Sequence, residues 1–123
     1  MKTASVALLA SVAAIAVAPM AWAEDPVGIW AGVNKTTKGD RPMIMVVSRE
    51  ADGRLSARLE SPTQAPGVPV PTQNVESDGS RLSFTSSMVQ GSYAATWDEA
   101  RKAWVGKWTQ NGVDMSLDWA RAP

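Results

Sequence analysis

The sequence predicts an all-β protein, a small up-and-down barrel of about eight antiparallel strands, and three observations predict it. Turn-forming residues recur at short, fairly regular intervals: Thr37-Lys38-Gly39-Asp40, Asp52-Gly53, Asp78-Gly79-Ser80, Gln90-Gly91, Asp98 to Lys102, and Asn111-Gly112. Asp-Gly and Asn-Gly tolerate the positive φ that tight hairpins demand. Between the turns, apolar and polar residues alternate with period two, the pattern of a strand with one buried face. Beyond the first two dozen residues, no run has helical spacing.

Residues 1–23 read as an export signal. Lys2 precedes the apolar stretch Val6 to Ala18, Pro19 interrupts it, and Ala21-Trp22-Ala23 places small residues at the −3 and −1 positions before Glu24. A basic start, an apolar run of about 13 residues and an A-x-A-like site make a secretory signal peptide cleaved after Ala23. A membrane-spanning helix needs about 20 apolar residues, more than this run supplies. The expected mature domain, residues 24–123, has 100 residues with 11 basic and 12 acidic side chains, a net charge of −1. Its expected location is the periplasm or the extracellular space of a bacterium, with no membrane association after cleavage. The N-x-T triplet Asn34-Lys35-Thr36 carries meaning only in a eukaryotic secretory pathway and reads as chance.

The strands follow in order as 28–35, 41–50, 54–61, 70–77, 81–88, 91–97, 103–110 and 113–121. In the third, Leu55, Ala57 and Leu59 oppose Ser56, Arg58 and Glu60. In the last, Val113, Met115, Leu117 and Trp119 oppose Asp114, Ser116 and Asp118. Two segments depart from the pattern. Met43-Ile44-Met45-Val46-Val47 is apolar on both faces, so its outer side must be covered or stand as a patch. Ser61 to Asn74 holds Pro62, Pro66, Pro69 and Pro71, too many for a central strand, and reads as a stiff crossing loop ending in an edge-like segment. Eight short strands need their edges managed, and a closed barrel does so best.

Composition removes much chemistry. The 123 residues carry 12 Lys+Arg against 12 Asp+Glu, with no His and no Cys. A balanced, scattered charge lacks the basic footprint of a nucleic-acid binder. The absence of His and Cys excludes Ser-His-Asp and Cys-His catalysis, thiol chemistry, Fe–S clusters, disulfides and the usual zinc sites. No cofactor and no metal are expected.

Two family resemblances appear once the strands are placed. Gly28-Ile29-Trp30 opens the first strand and Arg121 closes the last, which resembles the G-x-W tryptophan and late arginine of lipocalins and their calycin relatives. That resemblance implies a structural role for Trp30 and Arg121, with the guanidinium stacked on the indole. The second is longer. Gly28-Ile29-Trp30-Ala31-Gly32, Asp52-Gly53-Arg54-Leu55, Ser61-Pro62-Thr63-Gln64, Gly67-Val68-Pro69-Val70, Tyr93 and Gly106-Lys107-Trp108-Thr109-Gln110-Asn111-Gly112 occur in order across residues 27–121. The chain thereby resembles a small secreted β-rich domain found alone or N-terminal to exported bacterial α/β-hydrolase (serine hydrolase) proteins. Val33-Asn34, Lys107, Asn111 and Ala65-Pro66 depart from that pattern. The chain has neither the G-x-S-x-G elbow nor a histidine, so the resemblance implies a module without catalysis.

Candidate functional residues fall into three groups. Tyr93, Trp97, Trp104 and Trp108, with the amides Gln64 and Gln110, either line a ligand pocket at the barrel mouth or simply fill the barrel and satisfy loop backbone groups. Ile44 and Val46 form the outer face of the doubly apolar strand and are the expected partner surface. Asp114 and Asp118 share a strand face about 13 Å apart, too far for a glycosidase pair, and read as solvated surface charges. The expected function is an exported, non-catalytic binding or protein-interaction module, accessory to a hydrolase. Its expected partner is a protein or a small apolar ligand of the lipocalin kind. Two further readings stay open: an enzyme using carboxylate, Lys or Tyr chemistry, and a purely structural envelope protein with a filled interior.

Overall fold

The structure, a computed structural model, describes residues 24–123; the expected signal peptide and its cleavage site fall on residues 1–23, outside the described residues. Nine strands form one antiparallel sheet: β1 (Gly28–Thr36), β2 (Gly39–Arg49), β3 (Leu55–Glu60), β4 (Val70–Pro71), β5 (Gln73–Ser77), β6 (Arg81–Ser86), β7 (Gly91–Asp98), β8 (Ala103–Gln110) and β9 (Val113–Arg121). Their order is β4-β3-β2-β1-β9-β8-β7-β6-β5: apart from β4 and β5 at the two ends of the sheet, sequence neighbours pair, and a single joint unites strands that are not sequence neighbours. There β1 pairs with β9, Trp30 opposite Arg121 and Gly32 opposite Trp119, which rolls the meander into a nearly closed tube. Among the described residues there is no helix.

The strand expected over 70–77 is two strands. Its first part, β4, pairs with β3 through Val70 opposite Leu59, and its second, β5, pairs with β6 through Ser77 opposite Leu82. Thr72 separates them, and the register shifts between Gln73 and Glu76 while Asn74 takes a φ of 56°. Pro69 and Pro71 have no N–H to give a ladder. Hydroxyls and an amide hold this seam instead: Thr72 Oγ1 donates to the Ala57 carbonyl at 2.7 Å, and Ser86 Oγ to the Pro71 carbonyl at 2.9 Å. The Ser87 N–H donates to Gln73 Oε1 at 2.9 Å. One stave of the tube is thus cracked across, and side chains bridge the crack.

The hairpin chemistry is local. Asn111 and Gly112 both take positive φ, as a type I′ turn requires. In the β5–β6 turn, Asp78 Oδ1 accepts from the Ser80 and Arg81 N–H groups, and these bonds hold its carboxyl below the usual range. Gly91 has a different reason. Its φ is ordinary, but a Cβ there would lie 2.1 Å from the Trp108 ring, so Gln90 carries the positive φ and Gly91 makes room for an indole. Gly32 is similarly overlain by Trp119.

Inside the tube, period-two alternation puts Trp30, Met45, Leu82, Trp104 and Trp119 at 0% exposure. Trp30, Trp97 and Trp104 meet edge-to-face at one end, with centroids 5.1–6.3 Å apart. Toward the other end Phe84 stacks on Tyr93 at 5.2 Å, with Trp108 tilted beside Phe84 at 6.5 Å. Edge-to-face and offset aromatic pairs at these separations contribute about 0.5–1.5 kcal/mol each beyond area burial. The Trp30 end is strapped by residues 24–27. Arg121 lies 4.3 Å over the Trp30 ring and donates to the Val27 carbonyl, the Asp25 carbonyl and Glu24 Oε2, while Trp30 Nε1 donates to the Pro26 carbonyl.

Candidate functional surface

The aromatic residues singled out from sequence lie on the inner wall, and most of their polar atoms are engaged. Trp108 Nε1 donates to Gln110 Oε1 at 3.0 Å, and Gln110 Nε2 donates to the Val89 carbonyl at 2.7 Å. Trp97, half-buried, donates to Glu99 Oε1 at 2.8 Å. Glu99 also pairs with Lys102, and the Lys102 bond, followed by that of Trp97, holds its carboxyl low. Trp104 Nε1 and Trp119 Nε1 are buried without a hydrogen-bond partner among the described residues. Each of these two rings has an aromatic neighbour at a steep interplanar angle, Trp97 for Trp104 and Tyr93 for Trp119. Gln64 sits in the β3–β4 loop, where it accepts from Ser61 Oγ at 3.1 Å. Topology puts Gln64 and Gln110 at the same end of the tube, each bonded to its own surroundings.

Tyr93 occupies a break in the β8–β9 ladder. Pairing runs through Trp104 opposite Trp119 and resumes at Lys107 opposite Ser116, skipping Val105 and Gly106. In the gap the Tyr93 hydroxyl, from inside, donates to the Leu117 carbonyl at 2.7 Å. From outside, Asp118 Oδ1 accepts from the Gly106 N–H at 3.1 Å while Oδ2 pairs with Arg101 at 3.1 Å. Burial, reinforced by the nearby Asp118 charge, pushes the Tyr93 phenol far up, so it stays protonated as a donor. Asp118 therefore differs from the solvated charge expected of it: it is part-buried and stands in for a backbone acceptor. Asp114 remains exposed and accepts from Thr109 Oγ1.

The outer wall has two contrasting regions. Over β6–β9 lies an open trough of about 1240 Å³, lined by Ser83, Ser92, Ala94, Thr96, Lys107 and Ser116 among others. Over β1 and β2 the wall is largely apolar, and it gives way to Ser56, Arg58 and Glu60 on β3. Ile44 and Val46 are half-buried on β2, opposite Ala31 and Ile29 of β1. Ile29 is 55% and Val33 40% exposed. Beside them Ala120 of β9 faces Ala31 and Ala103 of β8, and a hollow of about 420 Å³ opens between β1 and β8. Sequence reading found Ile44 and Val46 but not Ile29 and Val33, although β1 is apolar on alternate outward positions in the same way as β2. Asn34 of the N-x-T triplet points its Oδ1 into the protein, buried and without a partner among the described residues.

No family model, no curated protein and no solved structure matches this chain.

Proposed function

We propose that the protein is an exported, non-catalytic protein-interaction module whose working surface is the apolar outer wall of β1 and β2. The observation that carries this reading is the continuity of Ile29, Val33, Ile44 and Val46 on the outside of a tube whose inside is already packed with indoles. A folded core gains nothing from apolar side chains on its far side, and contiguous exposed apolar patches mark interaction surfaces. A hydrolase partner, the class that the sequence resemblance implies, would bury this wall as domain faces bury one another. The same filled interior speaks against a lipocalin-type carrier. The buried phenol of Tyr93 is committed to the Leu117 carbonyl, which leaves it no free proton-transfer role.

Photo-crosslinking tests this. A photoreactive side chain at position 46 is expected to give a protein adduct in the producing cell, and one at Ser92 in the trough is expected to give none. Ile44→Lys with Val46→Lys is expected to abolish the adduct while the far-UV spectrum and cooperative melting persist. A variant that fails to fold, or adducts equal at both positions, would end the reading.

A further inference from the structure

The outward side chains of the apolar wall form two adjacent rows with opposite features. Row one runs Arg58–Val46–Ile29 across β3, β2 and β1, and row two runs Glu60–Ile44–Ala31 across the same strands. The rows differ in size at β1: Ile29 projects, whereas Ala31 borders the hollow of about 420 Å³. They differ in sign at β3. Among the described residues neither Arg58 nor Glu60 has an ion-pair partner. The Glu60 carboxylate accepts one long bond, 3.3 Å, from the Gly67 N–H.

A two-fold axis lying in this face, across the strands and midway between the rows, lays row one of one copy on row two of another. Each Ile29 then meets the hollow beside Ala31, each Val46 meets Ile44, and each Arg58 meets Glu60. Every contact occurs twice, which is the condition for a closed isologous interface. We propose that the protein forms a homodimer through this face, with Ile29 as the knob and the Arg58–Glu60 pairs setting the register. The proposal rests on the reading of this wall as a protein contact and names the occupant as a second copy of the chain. Rim charge pairs of this sort fix orientation and exclude wrong partners more than they add affinity, while the apolar centre supplies the attraction.

Sedimentation equilibrium on the purified protein is expected to show a monomer–dimer equilibrium, and Ile29→Lys is expected to leave monomer with an unchanged far-UV spectrum. Arg58→Glu alone and Glu60→Arg alone each set like charges face to face and are expected to weaken the dimer by roughly tenfold. Mixing those two variants restores both pairs, so a one-to-one heterodimer is expected to form at the wild-type affinity, a result no merely local role of either residue would give. A protein that stays monomeric up to about 1 mM, the weak end of specific association, would overturn the proposal. So would a dimer indifferent to Ile29→Lys or a mixture that yields no heterodimer. The crosslink at position 46 separates the two ideas: an adduct to a different protein, with no self-association, removes the dimer and keeps the contact surface, whereas no adduct and no dimer remove both.

Discussion

The outer wall of β1 and β2 and the outer wall of β6–β9 cover one continuous inner core, yet they are built from different side chains. The larger aliphatic side chains Ile29, Val33, Ile44 and Val46 make the first, and mostly small or hydroxyl side chains, Ser83, Ser92, Ala94 and Thr96, with Val105 and Lys107, make the second. Behind both walls the inner positions are equally apolar, with Met45 and Trp30 behind the first and Trp104, Tyr93 and Trp108 behind the second. The difference is therefore not demanded by folding. Inner residues answer to the core, and outer residues answer to whatever the wall meets.

Substitutions of decreasing consequence sharpen that contrast. Trp104→Ala, on the inner side, is expected to cost about 3–5 kcal/mol, because a fully buried indole leaves a cavity its neighbours fill only in part. Chemical denaturation checks it, and a loss under 1 kcal/mol would mean that the tube is loosely filled. Gly91→Ala drives a methyl into the Trp108 ring and is expected to cost about 1–3 kcal/mol by overpacking, although alanine suits that backbone. Tyr93→Phe leaves the Leu117 carbonyl unpaired and is expected to cost about 1–3 kcal/mol. Its signature is alkaline. Because the folded protein holds the phenol proton more tightly than the unfolded chain, Tyr93 stabilises fully below the ordinary tyrosine pKa of about 10 and loses that stabilisation as pH rises beyond it. Tyr93→Phe should remove that component of the alkaline decline, measured by melting temperature against pH. At the small end, Ile29→Lys and Ser92→Lys, one on each outer wall, are both expected to shift stability by less than about 0.5 kcal/mol. Only Ile29→Lys should change association, which light scattering reads directly.

Much of the architecture was legible because it is written locally. Period two and Asn-Gly or Asp-Gly pairs placed β1–β3 and β6–β9 close to their observed limits. The exception, 70–77, is decided by closure: Val70 answers to β3, Ser77 to β6, and the chain between must satisfy both ends of the sheet at once. No local pattern encodes that. Ile44 and Val46 were legible as an unusual second apolar face, whereas joining them to Ile29 and Val33 needed the β1–β2 register. The roles of Asp118 and Gly91 were also invisible. One depends on a missing rung between β8 and β9, the other on an indole 17 residues along the chain.

The cracked stave at Thr72 has a dynamic consequence. Amide protection is lowest beside the joint of a tube that parts most easily, and here that joint is two hydroxyls and one amide rather than a full rung-by-rung ladder. Breathing should thus begin at β4 and β5, exposing their N–H groups to deuterium well before those of β1 and β9. In this barrel, the union of β1 and β9 is the hinge side, and the door lies at the break between β4 and β5.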